Sequence, residues 1–205
     1  MTYIEIFKNF KKKYPSIWSF IEILNGALLR LFFRKSLKNI EQKIIDFLKK
    51  ENISANYASI RNVISVSKFL NELPSEDILY FHPFDYSKKS LSHVLSCHTY
   101  QIYVVYFDNQ IVGLFFLRYF INNKCFLGYV VKKEFRGKGL GKKMLQAIIY
   151  GVSNSGFALM STICADNIAS IKAHLATGKF EIIEKLSSNE IVLKMKEENK
   201  SIKVY

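Results

Sequence analysis

Val131-Lys132-Lys133-Glu134-Phe135-Arg136-Gly137-Lys138-Gly139-Leu140-Gly141 is the stretch on which the reading of this chain turns. The residues before it, Lys124 to Lys132, are apolar and β-branched enough to predict a strand. After it, Leu140, Met144, Leu145, Ile148 and Ile149 recur at helical spacing and predict a helix over 139–152. Between them, Gly137, Gly139 and Gly141 carry no Cβ, so the backbone can turn tightly and bring its N–H groups against a ligand. The first amides of a helix have no intrahelical partners and sit at its positive dipole end. Strand, glycine turn and helix together make an anion site, and Arg136, Lys138, Lys142 and Lys143 add positive charge to it.

Two other glycine-loop patterns do not fit. A dinucleotide fingerprint needs a parallel sheet and an acidic residue about 20 residues on, whereas the preceding strands read as an antiparallel meander and the nearest acid, Asp166, comes too late. A nucleoside triphosphate loop of the Gly-x-x-x-x-Gly-Lys-Ser/Thr form needs a hydroxyl where Lys143 stands.

Working outward, Gln101 to Phe107, Ile111 to Tyr119 and the strand from Lys124 form the meander, with turns at Asp108-Asn109 and Asn122-Asn123. Upstream, a first strand is expected over 53–61, a helix over 65–73 stopped by Pro74, the loop Phe81-His82-Pro83-Phe84-Asp85, and a helix over 87–97. Downstream come a buried strand over 158–164, a helix over 168–176, and closing strands over 180–186 and 191–195. Three regions are expected: a basic amphipathic helical extension over 1–50, one domain over 51–198, and a tail over 199–205.

Within the extension, the run from Ile17 to Phe33 is strongly apolar. Charges at Glu22 and Arg30 argue against a transmembrane span, because each costs about 2.5–3.5 kcal/mol in the bilayer core. On a helical wheel Ser19, Glu22, Gly26 and Arg30 form a narrow polar stripe, with Lys11, Lys12 and Lys13 before it and Arg34, Lys35 and Lys38 after it. That pattern fits a helix packed on the domain, on a second subunit as in a homodimer, or on an anionic membrane surface through residues 11–38. A second amphipathic helix follows, from Ile40 to Lys50.

A formal net charge of +13 favours anionic partners of some kind. The lysines are dispersed and no helix-turn-helix or zinc-finger pattern is present, so nucleic acid is not expected. Three widely spaced cysteines, Cys97, Cys125 and Cys164, suggest neither disulfides nor a metal cluster, so no metal is expected. Without a signal-peptide pattern the expected location is cytoplasmic, at the inner face of the membrane if the first helix docks there.

The glycine stretch resembles the signature of the GNAT superfamily of N-acetyltransferases, Arg/Gln-x-x-Gly-x-Gly/Ala after a strand ending in Val. Asn167, Ser170, His174 and Gly178 are similar to that family's Asn, Tyr and Gly-Phe run on its fourth helix, with His174 where Tyr is usual and Lys179 displacing Phe180 by one position. The order of elements over 53–196 is similar as well. The resemblance implies a mixed α/β fold: a mainly antiparallel sheet of about seven strands, flanked by helices, whose fourth strand splays from the fifth. It implies acetyl-CoA as cosubstrate, with pantetheine along the backbone of Tyr129, Val130 and Val131. Pyrophosphate is then expected on Arg136, Gly137, Lys138, Gly139, Leu140, Gly141 and Lys142.

The implied reaction is direct attack of a neutral amine on the thioester, through a tetrahedral oxyanion that a strand N–H stabilises. His174 is the candidate acid or thiolate stabiliser, against a packed helix histidine. Asn167 either bonds the pantetheine arm or caps its helix. No Glu stands on the strand before the glycines, so His82 and Asp85 are the candidate bases, beside proton loss through water. Phe81-His82-Pro83-Phe84 is similar to a segment of family members linked to surface-polysaccharide assembly, which suggests an amino sugar on a nucleotide or lipid carrier as the acceptor. Other readings are an amino acid, polyamine or protein amine as acceptor, or a catalytically silent acyl-CoA-binding module.

Overall fold

The aromatic and β-branched residues of the chain's middle third form three long strands: β2 (Tyr100–Phe107), β3 (Gln110–Tyr119) and β4 (Lys124–Val131). The computed structural model describes residues 6, 9, 10 and 13–197. Asp108 and Asn109 both adopt positive φ, 45° and 61°, the paired left-handed conformation that lets a two-residue turn follow the strand twist. β1 (Ser54–Tyr57) adds antiparallel to β2. β5 (Ala158–Cys164), β6 (Phe180–Leu186) and β7 (Glu190–Met195) complete seven strands in the order β1-β2-β3-β4-β5-β7-β6. Every neighbouring pair is antiparallel except β4–β5.

The helices are α1 (Pro15–Phe32), α2 (Arg34–Lys50), α3 (Val63–Glu72), the single turn α4 (Ser75–Ile78), α5 (Lys88–Ser96), α6 (Leu140–Val152) and α7 (Ile168–Leu175). Ile40, Ile44 and Leu48 of α2 pack with Met144, Leu145 and Ile148 of α6 on one sheet face, all buried in one core. Burying side chains of this size contributes about 1.5–3 kcal/mol each. The two helices touch closely at Gly151, where a Cβ would meet Ile44 Cγ1 at 2.5 Å. On the other face, Leu70 of α3 and Leu91 of α5 cover Ile102, Val104, Leu114 and Phe116.

Strand alternation therefore divides β4. Cys125, Leu127, Tyr129 and Val131 face α2 and α6, whereas Val130 faces α3 and α5. The helical extension expected over 1–50 is thus half inside the domain core, since α2 supplies three of its fully buried side chains.

The first strand is shorter than the expected 53–61. Ser59 and Asn62 form a capping box, which ends extended structure and turns the chain through a 3-10 turn, Ile60–Asn62, into α3. The turn α4 was not expected from the sequence. Lys11 and Lys12, residue 198 and the expected tail over 199–205 lie outside the described residues.

The middle of the polar stripe of α1, Glu22 and Gly26, faces the domain, and Arg30 at its end is exposed. Glu22 pairs with Arg118. Asn25 donates from Nδ2 to the Tyr119 carbonyl at 3.0 Å and accepts from the Ile121 amide at 2.9 Å. Gly26 lies against the backbone of His98, which a Cβ would meet at 3.4 Å.

Candidate active site

β4 and β5 are paired only at Lys124–Phe126 with Ala158–Met160, and the strands separate beyond that point. Lys132 N donates to Val112 O at 2.9 Å on the β3 side. In an antiparallel ladder such pairs recur at every second residue, so Gly128 and Val130 turn their peptide groups to β3, while Tyr129 and Val131 turn theirs toward the gap. Of the three strand residues expected along a pantetheine arm, two offer backbone groups on that side. Val130 instead contributes a buried side chain on the α3/α5 face.

The glycine turn closes the end of this gap. Gly137 and Gly139 hold φ of 72° and 81°, a left-handed conformation that side-chain-bearing residues rarely adopt. A Cβ at either position would meet nothing within 4 Å, so the requirement there is conformational and the concave side stays open. Gly139 is the N-cap of α6 and no side chain caps the helix, which leaves the amides of Leu140, Gly141 and Lys142 to an external acceptor. Gly141 instead keeps a close approach, since a Cβ there would lie 3.4 Å from the Tyr129 ring.

Arg136 is committed to the protein. Its Nε donates to Val131 O at 2.9 Å, and its guanidinium lies 3.0 Å from the carboxylate of Asp77. Asp77 is buried in α4 and also accepts the Lys133 amide at 3.2 Å, so α4 ties down the turn into the glycines. Lys143 pairs with Glu51, and Lys138 lies over the Phe135 ring, its Nζ 5.2 Å from the centroid. Lys142 is exposed on the first turn of α6.

His174 is 1% exposed and its Nδ1 lies 2.8 Å from the Ser170 carbonyl. A carbonyl only accepts, so Nδ1 carries the proton, and the buried Nε2, a lone pair in the neutral ring, has no hydrogen-bond partner. Burial holds the His174 pKa below the ordinary value, partly offset by the bond to Ser170. The imidazole stacks on Tyr129, centroids 5.9 Å apart, and meets Phe180 edge-on at 5.0 Å. Burial pushes the Tyr129 phenol up, and a hydrogen bond with the Ser170 side chain opposes the shift. Tyr129 thus reaches from β4 to the helix after β5, across the separation of the two strands.

Asn167 caps α7, its side chain accepting the Ser170 amide at 3.1 Å. His82 and Asp85 lie elsewhere, in the loop before α5. His82 stacks on Tyr86 with centroids 6.2 Å apart. Asp85 accepts the Ser87 amide at 2.9 Å, and the hydroxyl and amide of Ser87 hold its pKa low. The flanking Phe81 and Phe84 pack with the α3/α5 core, on the sheet face opposite Tyr129 and His174. The structure therefore groups Tyr129, Ser170 and His174 near the glycine turn and leaves His82 and Asp85 apart from them.

Asp77 and the Tyr129 side chain are the residues that sequence reasoning missed. Asp77 lies 59 residues from Arg136 and no local pattern links them. For Tyr129 the available signal was strand alternation, which puts it on the helix-covered face with Val131. Among the described residues, no group of three or more His, Cys, Asp or Glu side chains could hold a metal ion.

The sequence profile of the acetyltransferase (GNAT) family matches residues 68–178. No curated protein matches the chain. Among solved structures, the PaiA N-acetyltransferase of Thermoplasma acidophilum in complex with coenzyme A superposes with a TM-score of 0.57 at 17% identity, over 70% of this chain and 98% of that one. YncA of Salmonella typhimurium with its cofactor acetyl-CoA gives 0.55 at 16% identity, over 73% and 96%. A chimera of spermidine N-acetyltransferase SpeG from Vibrio cholerae and hSSAT gives 0.56 at 13% identity, over 70% and 94%. These likenesses are of fold.

Proposed function

The chain belongs to the acetyltransferase (GNAT) family, and from that footing we propose that it transfers an acetyl group from acetyl-CoA to a primary amine, an amino sugar on a nucleotide or lipid carrier. The observation that carries the reading is the separation of β4 from β5 beside an uncapped helix start reached through two left-handed glycines. Those features fit the coenzyme: the free amides of Leu140, Gly141 and Lys142 suit a pyrophosphate, and the peptide groups of Tyr129 and the N–H of Val131, whose carbonyl Arg136 takes, suit the amides of pantetheine. Lys138 and Lys142 add charge at the mouth. Bound acetyl-CoA supplies a thioester whose carbonyl a neutral amine attacks directly.

The Tyr129 or Val131 amide, aimed into the gap, is placed to donate to an oxygen that gains charge there. The role of proton donor to the departing sulfur falls to Tyr129 rather than His174. The raised pKa keeps the Tyr129 phenol protonated at neutral pH. His174, with a lowered pKa, is neutral there and its one ring proton is committed to Ser170 O, so Nε2 has none to give. His174 instead supports the Tyr129 ring and holds its own proton on Nδ1. Asp85, with its carboxylate engaged by Ser87, is a poor base, and His82 shares its loop away from Tyr129, which leaves water to take the proton of the attacking ammonium.

The exposed His82 and the basic surface support an anionic carrier on the acceptor. The test is turnover of acetyl-CoA by the purified chain with amino-sugar nucleotides, spermidine, free amino acids and lysine peptides. Acetylation confined to amino sugars supports the proposal. Preference for another amine overturns the acceptor assignment, and coenzyme binding without turnover on any amine makes the chain a binding module.

A further inference from the structure

α1 is amphipathic in the opposite sense to an ordinary surface helix. Beside the buried Trp18 and Leu29, two of its polar residues are turned inward: Glu22 pairs with Arg118, each side chain 17% exposed, and Asn25 bonds the backbone of Tyr119 and Ile121. The opposite side is apolar and open, with Ile17, Phe20, Ile23, Leu24, Leu31 and Phe32 between 48% and 72% exposed. At 100° per residue these positions share one half of the helix circumference, and none carries a charge. No described element covers them.

The charges around this face have one sign. Lys13 precedes α1, Arg34, Lys35 and Lys38 follow it, and all four are exposed. Glu22, already paired inside, is the one acidic residue between positions 13 and 40. A second copy docked through the same face would bring these cations together on a chain of net charge +13, with Glu41 beside Lys38 as a partial offset. Anionic lipid headgroups supply the missing counter-charge, and acyl chains supply the apolar phase.

Insertion lengthwise does not fit. Among the described residues no single helix is long and apolar enough to cross a bilayer, and α1 meets α2 at 85°. α2 cannot extend a span, because Ile40, Ile44 and Leu48 are locked into the domain core. We infer that α1 is a docking helix that lies in the interface of an anionic bilayer, with Ile17, Phe20, Leu24 and Leu31 in the acyl boundary and Lys13, Arg34, Lys35 and Lys38 on the headgroups. The placement leaves the glycine turn free. α1 holds the end of β3 at Tyr119, whereas the turn follows Val131, beside Gly113 at the other end of that strand, roughly 20 Å away at the usual strand rise.

The experiment is flotation of the full chain with vesicles of phosphatidylcholine alone and of equimolar phosphatidylcholine and phosphatidylglycerol. The proposal expects the parent to float with the anionic vesicles only, and less so as salt rises. A variant with Phe20→Ser, Leu24→Ser and Leu31→Ser, all exposed and so neutral to folding, should lose binding by about tenfold or more while keeping its thermal midpoint and coenzyme affinity. A variant with Lys13→Glu, Arg34→Glu and Lys35→Glu should lose the anionic preference. Equal flotation with both vesicle types, or none, overturns the proposal. A parent dimer that the serine variant converts to a monomer, without vesicle binding, assigns the face to a second copy instead.

Discussion

The Tyr129 ring stacks on the His174 imidazole, centroids 5.9 Å apart and planes inclined by 29°, joining β4 to the helix that follows β5 where the two strands have separated. The pair divides the proton inventory of the site. Burial raises the phenol's pKa and lowers that of the imidazole, whose Nδ1 faces the Ser170 carbonyl.

Tyr129→Phe should lower kcat by roughly 100-fold, with KM for acetyl-CoA within about threefold of the parent, because the variant keeps the ring and loses only the transferable proton. His174→Phe should cost less in kcat. Steady-state kinetics with the amine found in the acceptor screen measures both, and the reverse ranking would return the donor role to His174.

The buried His174 also makes stability depend on pH. Its folded pKa lies below the ordinary 6.5, so the unfolded chain takes up a proton first as pH falls. The His174 contribution is complete above about pH 6.5 and is lost as pH drops toward the folded value. His98, lowered by burial and then by Arg30, adds a slope of the same sign. Thermal melts between pH 5 and 8 should show a shallower slope for His174→Phe than for the parent. An unchanged slope would mean that the folded imidazole titrates normally.

Asp77 anchors the glycine turn through Arg136 and the Lys133 amide. Asp77→Asn should cost about 1–2 kcal/mol of stability, a modest figure because the Arg136 side chain is 44% exposed and can be resolvated. It should also weaken coenzyme binding severalfold, as the turn loses its hold on α4. Calorimetric titration beside a thermal melt separates the two effects, and full affinity in a destabilised variant would show that Asp77 serves the fold alone.

Gly151 is where α2 and α6 touch. Gly151→Ala forces a Cβ against Ile44 Cγ1 at 2.5 Å and Ile40 O at 3.2 Å. The overpacking should cost about 1–3 kcal/mol, read as a fall in denaturant midpoint. Ile44→Val in the same chain should recover part of the loss, and no recovery would place the strain elsewhere.

Most of the fold was legible because each strand and helix carries its own period. The Asp108-Asn109 turn, the helix from Leu140 and the strand over 158–164 all sit where their patterns put them. β1 was overestimated because the Ser59 and Asn62 side chains end it, and α4 is too short to show a period. The glycine turn was legible since left-handed backbone demands particular residues. The Tyr129, Ser170 and His174 grouping and the Asp77 anchor were not, since they depend on which distant segments meet. The wheel of α1 showed its polar stripe, but which side faces the domain was decided by Arg118, 96 residues from Glu22.

The central claim is that the uncapped start of α6 holds the coenzyme pyrophosphate, and calorimetric titration of acetyl-CoA into the parent and into Gly139→Asp tests it most directly. The Asp carboxylate brings negative charge to the start of the helix, opposing a phosphate there, and its Cβ meets no neighbouring atom although the φ of 81° strains a side-chain-bearing residue. Saturable binding by the parent, weakened at least about tenfold in a variant that stays folded with a midpoint lowered by the left-handed backbone at position 139, is the predicted result. Absence of binding by the folded parent, or equal affinity in the two proteins, would contradict it.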